Sequence, residues 1–355
     1  MTERLERHLA FLVAADRLKA ATGEAVLMDG SRRENLAERA WHRALWALLC
    51  AGPGDGEPDR LIALCLVADL ASETIALLPP DQAEALDALR LEAAAAATPE
   101  ARALRRIALA QGVMQEVGAG PLARPDLEAL TTALDIGPAA TLADDWPELH
   151  THLAALLSGR GRPAPAPLGA HLRFLAEADR LKTVLRGTTI FDGTRRETSA
   201  EHSWHLALFA LTLGEHAIAP PDAARAARML LLHDLVEIDA GDAPIHGSHD
   251  PAAQEESERR AAERLYGLLP APQGLTLRAI WDEFEAAESA DAIYAKSIDR
   301  VQPVLANLAT GGGTWTEYAV TRAQLERRVG DKVRRGAPPL WAALVPRLDA
   351  WFGAA

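Results

Sequence analysis

The chain has 355 residues, 49% hydrophobic and 25% charged, with a formal net charge of −13 and two cysteines. That length supports roughly two domains with a core in each, and the composition excludes a disordered or collagen-like chain. An acidic total argues against a duplex nucleic-acid partner, two cysteines argue against a disulfide scaffold or a thiolate metal site, and no charge-free apolar run approaches the roughly 18 residues of a membrane span.

The N-terminus, MTERLERHLA, is charged and amphipathic and has no apolar signal region, so a reducing cytoplasm is the expected compartment. Ala, Leu, Arg and Glu dominate, all good helix formers. Runs such as Pro221 to Val236 and Pro251 to Leu269 space apolar residues at three and four. No series of alternating β-branched residues stands out, and the expected fold is all-α. The stretch GRGRPAPAPLG, residues 159–169, alternates Pro with small residues and reads as a stiff linker.

An internal repeat crosses that linker. HLAFLVAADRLK from His8 matches HLRFLAEADRLK from His171 at an offset of 163 residues. DGSRRENLAERAWHRAL from Asp29 matches DGTRRETSAEHSWHLAL from Asp192 at the same offset. Shared helical periodicity would not keep ADRLK, DG-RRE and the Trp-His pair in register. The expectation is a duplicated domain: residues 1–158, a linker at 159–169, and residues 170–355.

The second copy carries a chemical constellation. LLLHDLVEIDAGD, from Leu230 to Asp242, places His233 and Asp234 side by side in an apolar run, with Glu237 one turn later. His202 lies upstream in SAEHSWH and Asp299 downstream in KSIDRVQP. Two imidazoles and several carboxylates form a mixed nitrogen and oxygen set. It suits a divalent Mn, Fe, Co, Ni or Zn better than Ca or a thiolate-bound metal. Burying a carboxylate in an apolar helix is costly unless a cation compensates it.

The order His202, His233–Asp234, Asp299, with RRETSAEHSWH and LLLHDLVEIDAGDAP around it, resembles the HD-domain metal-dependent phosphohydrolases. The branch holding the bacterial 5′-deoxynucleotidases and human HD domain-containing protein 2 is the nearer likeness, over about Leu168 to Thr316. The resemblance implies stacked helices around one divalent metal held by His202, His233, Asp234 and Asp299. It implies a small phosphorylated substrate and a phosphomonoesterase acting on a nucleoside 5′-monophosphate or a similar small phosphate ester. Glu237 and Asp242 are then the expected catalytic groups, Glu237 at the attacking water or leaving oxygen and Asp242 at a sugar hydroxyl or water. Arg195 and Arg196 in RRE are expected at the phosphate. The family's Arg-Trp pair has its nearest equivalent in Arg186 followed by Gly187, which leaves sugar and base preference open. His246 and His249 read as surface histidines of a loop.

In the first copy Arg39 replaces His202. With a two-residue gap, Ala68 replaces His233, Asp69 matches Asp234, Ser72 replaces Glu237, and Asp135 aligns weakly with Asp299. Residues 1–158 are therefore expected to be a degenerate copy that binds no metal, its Arg39 able to pair with Asp69. A pseudo-dimeric monomer or a homodimer follows. The alternatives are a nucleotide pyrophosphohydrolase or alarmone hydrolase, and a non-catalytic metal- or nucleotide-sensing module.

Overall fold

The computed structural model describes residues 3–119, 126–161, 163–248 and 250–354. Helices dominate, as expected. In the first half, α1 (Glu3–Ala15) is followed by a short hairpin, β1 (Thr22–Val26) with β2 (Arg33–Asn35), then by α2 (Leu36–Cys50), α3 (Pro58–Val67) and α4 (Pro99–Gly118). The second half runs α5 (Leu168–Asp179), β3 (Leu185–Thr189), β4 (Arg196–Thr198), α6 (Ser199–Leu213), α7 (Ala223–Leu232), α8 (Pro251–Tyr266), α9 (Ala271–Ala286) and α10 (Ala290–Ala309). No helix among the described residues is long and apolar enough to cross a membrane.

The two antiparallel hairpins were not foreseen. Strands of five and three residues are too short for alternation to register in a sequence. The repeated Asp-Gly explains their turns. Gly30 and Gly193 adopt φ of 73° and 74°, where a side chain would be strained. The preceding Asp29 and Asp192 each accept a backbone N–H two residues on, at 2.9 Å.

Each hairpin feeds a helix through a capping box, Asn35 with Glu38 and Thr198 with Glu201. Such caps satisfy two otherwise orphaned backbone donors and fix where the helix begins. That start sets the rotation of α6 and so the direction of His202. Nearly every residue of α6 is buried, so it runs through the centre rather than lying on the surface. The stretch expected to be a linker ends two residues early, because Leu168 and Gly169 already belong to α5. Gly159 to Gly161 are exposed; Arg162 lies outside the described residues.

The halves share one core, and their contacts come in reciprocal pairs. Trp41 Nε1 donates to the Leu231 carbonyl and Trp204 Nε1 to the Leu66 carbonyl, both at 3.1 Å. His42 Nε2 meets the Leu175 carbonyl at 3.0 Å, and His205 Nε2 meets the Leu12 carbonyl at 2.9 Å. Gln82 donates to the Thr212 carbonyl, Gln273 to that of Leu49. Both tryptophans are fully buried, and burial of an aromatic of this size contributes roughly 1.5–3 kcal/mol before its hydrogen bond is counted.

Candidate metal centre

Three elements bring the expected ligands together. α6 carries His202, a 3-10 turn directly after α7 carries His233 and Asp234, and α10 carries Asp299. All four are buried. His202 Nε2 lies 3.1 Å from Asp299 Oδ1, and His233 Nε2 lies 2.9 Å from Asp234 Oδ1 and 4.0 Å from Asp299 Oδ1. Donor atoms on one small divalent ion, each about 2.0–2.2 Å from it, stand about 3–4 Å apart.

The state of His233 tests the fit. Its Nδ1 is 2.9 Å from the Leu230 carbonyl, which can only accept, so Nδ1 carries the proton. Nε2 is buried and makes no well-formed hydrogen bond. It faces carboxylate oxygens that are also acceptors. A cation between them resolves that conflict, so the donor set fits a divalent metal. Two other clusters of possible ligands differ here. The Lys19 ammonium lies within Asp16, Glu197 and His205, and Arg4 engages Glu215 beside His8 and His216.

A cavity of about 200 Å³ opens over the ligands. Arg186 on β3 reaches into it, with Nη1 2.7 Å from Asp234 Oδ2, 3.7 Å from Glu237 and 3.8 Å from Asp242. Glu237 accepts from the Ser199 hydroxyl at 2.5 Å. Burial, reinforced by the charges of Asp234 and Asp242, holds its carboxyl well above the ordinary range despite Arg186. Asp242 follows Gly241, whose φ is 75°, and accepts the Gly187 N–H at 3.0 Å, tying the cavity rim to β3.

Behind His202, Glu197 Oε2 stands 3.5 Å from Nδ1, and Gln302 Oε1 stands 3.1 Å from the same atom. Burial alone would push Glu197 up. The neighbouring Lys19 ammonium, with His202 and Arg186, reverses this and holds it well below the ordinary carboxylate range.

Arg195 and Arg196 stand outside the cavity, contrary to their expected place at the phosphate. The Arg195 guanidinium is held by Glu201, the Lys19 carbonyl and the Arg196 carbonyl, so it locks the capping box. Arg196 pairs with Glu317 at the surface, 3.2 Å away. Lys296 and Arg300 line the cavity instead. Their signal was present in the sequence: residues 296, 299, 300, 303 and 307 share one helical face with Asp299. His246 also lines the cavity, with a buried Nδ1 lacking a partner, rather than lying on the surface. Burial, with Arg328 and Arg300 nearby, pushes its pKa down to about 4. His249 lies outside the described residues.

In the first half Arg39 pairs with Asp69 at 2.9 Å, and Arg43 adds a contact at 3.4 Å. The cationic side chain thus stands where an imidazole would be needed. Asp135 is exposed at the end of a different helix and is not the counterpart of Asp299. α4 and α10 begin alike, each after a left-handed alanine (Ala96, Ala287) and a hydroxyl cap (Thr98, Ser289). Counting from those caps puts Ala108 opposite Asp299 and Gln111 opposite Gln302.

The HD domain family model matches residues 178–341. The 5′-deoxynucleotidase HDDC2 of Bos taurus is 32% identical over 157 residues, covering 42% of this chain and 70% of that protein. Its Homo sapiens counterpart is 30% identical over 139 residues, covering 38% and 65%. The chain thus spans about two thirds of the length of these relatives. A crystal structure of a metal-dependent phosphohydrolase from Magnetospirillum magnetotacticum MS-1 is 45% identical, covering 53% of this chain and 96% of that one, with a TM-score of 0.49. With two histidines and two aspartates brought side by side from three elements, and with the family match and the HDDC2 relatives, the chain belongs to the HD-domain metal-dependent phosphohydrolase superfamily.

Proposed function

We propose that the second half hydrolyses a small phosphomonoester, with a nucleoside 5′-monophosphate as the substrate. The observation that carries this is the buried, unpartnered Nε2 of His233, set against carboxylate oxygens at the floor of a cavity whose walls hold Arg186, Lys296 and Arg300. His202, His233, Asp234 and Asp299 would hold the dication. Such an ion polarises a phosphoryl oxygen and lowers the pKa of water bound to it. Arg186 would bind the phosphate, its guanidinium offering more than one donor in a fixed fork. Glu237, a turn from Asp234, would hold or move the proton at the attacking water or the leaving oxygen. Asp242 would contact a sugar hydroxyl or a water. The relatives named 5′-deoxynucleotidases support the nucleotide class.

A pyrophosphate-bearing substrate is the second reading, favoured by Lys296 and Arg300 in the cavity wall. The reciprocal contacts between halves, and the Arg39–Asp69 pair, support a duplicated domain whose first copy, residues 1–158, is degenerate, giving a pseudo-dimeric monomer. The test is a panel of nucleoside mono-, di- and triphosphates with Mn²⁺ or Co²⁺. The expected outcome is inorganic phosphate from monophosphates, lost with chelator and in Asp234→Ala. Pyrophosphate from triphosphates would select the second reading, and tight metal binding with no turnover would defeat both.

A further inference from the structure

The half without the metal ligands reaches into the half that has them. Lys19, just after α1, is fully buried. Its ammonium donates to Glu197 Oε1 at 2.6 Å, to His205 Nδ1 at 2.8 Å and to Asp16. Glu197 and Gln302 are the two groups facing His202 Nδ1, and Gln302 Nε2 itself donates to Glu197 Oε1 at 2.8 Å. Both groups sit on the Nδ1 side of the ring, which turns Nε2 toward Asp299, 3.1 Å away. A carboxylate behind a ligating imidazole fixes its tautomer and direction, and losing it typically costs 10–100-fold in metal affinity. A carboxylate buried this deeply needs a partner to keep its charge. That partner comes from the opposite half of the chain, 178 residues away.

We propose that Lys19 is a positioning residue for the metal centre: by holding Glu197 it holds His202, so the first half tightens metal binding by the second. This rests on the metal reading given above.

The molecule carries its own control. Lys182 is buried in a mirror network, 2.9 Å from Glu34, 2.5 Å from Asp179 and 3.4 Å from His42 Nδ1. That network leads to no metal ligand, because Arg39 stands in the place of His202 and pairs with Asp69. The two lysines are equally buried and similarly paired, so removing either has a similar folding cost. Only Lys19 connects to the centre.

The test compares Lys19→Met and Lys182→Met in the full chain, stripped of metal and titrated calorimetrically with Mn²⁺, with urea unfolding run in parallel. Both should lose similar stability. Lys19→Met should bind Mn²⁺ about 10–100-fold more weakly, while Lys182→Met stays within about twofold of the parent. The double variant Lys19→Met with Glu197→Gln should bind no more weakly than Glu197→Gln alone. If Lys19→Met fails to fold, Lys19→Gln against Lys182→Gln makes the same comparison, since Gln keeps a donor. Equal Mn²⁺ affinities in the two lysine variants, or a further loss in the double variant, would overturn the tether. A parent protein that binds no Mn²⁺ would overturn the metal reading itself, and the tether with it.

Discussion

Replacing Arg186 with Gln should move two measurements in opposite directions. Its guanidinium is buried among four carboxylates, 2.7 Å from Asp234, 3.7 Å from Glu237, 3.8 Å from Asp242 and 3.9 Å from Glu197. At an effective dielectric of about 20, a unit pair at about 4 Å interacts by about 4 kcal/mol before desolvation is subtracted. Burial works against the charge, and the four carboxylates outweigh it, holding the group above its ordinary range. Without Arg186 the metal-free protein keeps those carboxylates uncompensated and should lose about 3–5 kcal/mol of stability. Mn²⁺ affinity should rise, because a positive charge next to the ligands is gone. Turnover should fall. A hydrogen bond to a charged group contributes about 1.5–3 kcal/mol, so kcat/KM for a nucleoside monophosphate should drop about 10- to 150-fold at saturating Mn²⁺. Calorimetry and phosphate release measure the two quantities on one preparation. Unchanged kcat/KM at saturating metal would show that Arg186 only balances charge, and a loss of Mn²⁺ affinity would refute the electrostatic reasoning.

Other outcomes follow from the same geometry. Glu237→Gln should lower kcat about 10²- to 10⁴-fold while leaving Mn²⁺ affinity within a few-fold; a large affinity loss would make Glu237 a ligand instead. Mn²⁺ at 100 times its Kd should stabilise the protein by about 2.7 kcal/mol, or roughly 3–4 °C in Tm if the chain melts in one step, and Asp234→Asn should show no such shift in a calorimetric scan. Burial, together with the nearby Lys182, lowers His42 to about 3, while burial and Lys19 lower His205 well below its ordinary value. Their folded pKa values are depressed, so the stability they contribute is complete above about pH 6.5 and is lost as pH falls toward the folded values, about 1.4 kcal/mol per pH unit for each. Urea unfolding of metal-free protein between pH 7 and pH 5.5 should show stability falling in this sense, and His42→Gln should remove one histidine's share of the slope; an unchanged slope would refute the assignment.

The repeat was legible because its shared residues do structural work at fixed spacing: Asp-Gly makes a turn, RRE feeds a cap, and the Trp-His pair crosses to the other half. The sequence offered His202, His233–Asp234 and Asp299 only as a spaced set, and the fold brings those side chains within 4.0 Å of one another in turn. The counterpart of Asp299 was not legible, because the offset between similar elements grows from 163 at the hairpins to 191 at α4 and α10, and a search near the first offset led to Asp135. Arg186 and Arg195 belong to one hairpin, and only the fold says that the first turns into the cavity and the second away from it. The reach of Lys19 to Glu197 is a contact between distant positions that no local pattern encodes.

The reciprocal seam bears on how the chain is made. A ribosome that has delivered α1 to α4 has produced Trp41 without the Leu231 carbonyl and Lys19 without Glu197. Those groups stay wet or shielded by other factors until the later segment emerges, and closure over such sequence distances is slow. Across the closed seam the halves are joined by buried hydrogen bonds as well as by the peptide, so a protease cut within the exposed residues 159–161 should yield two fragments that still migrate together.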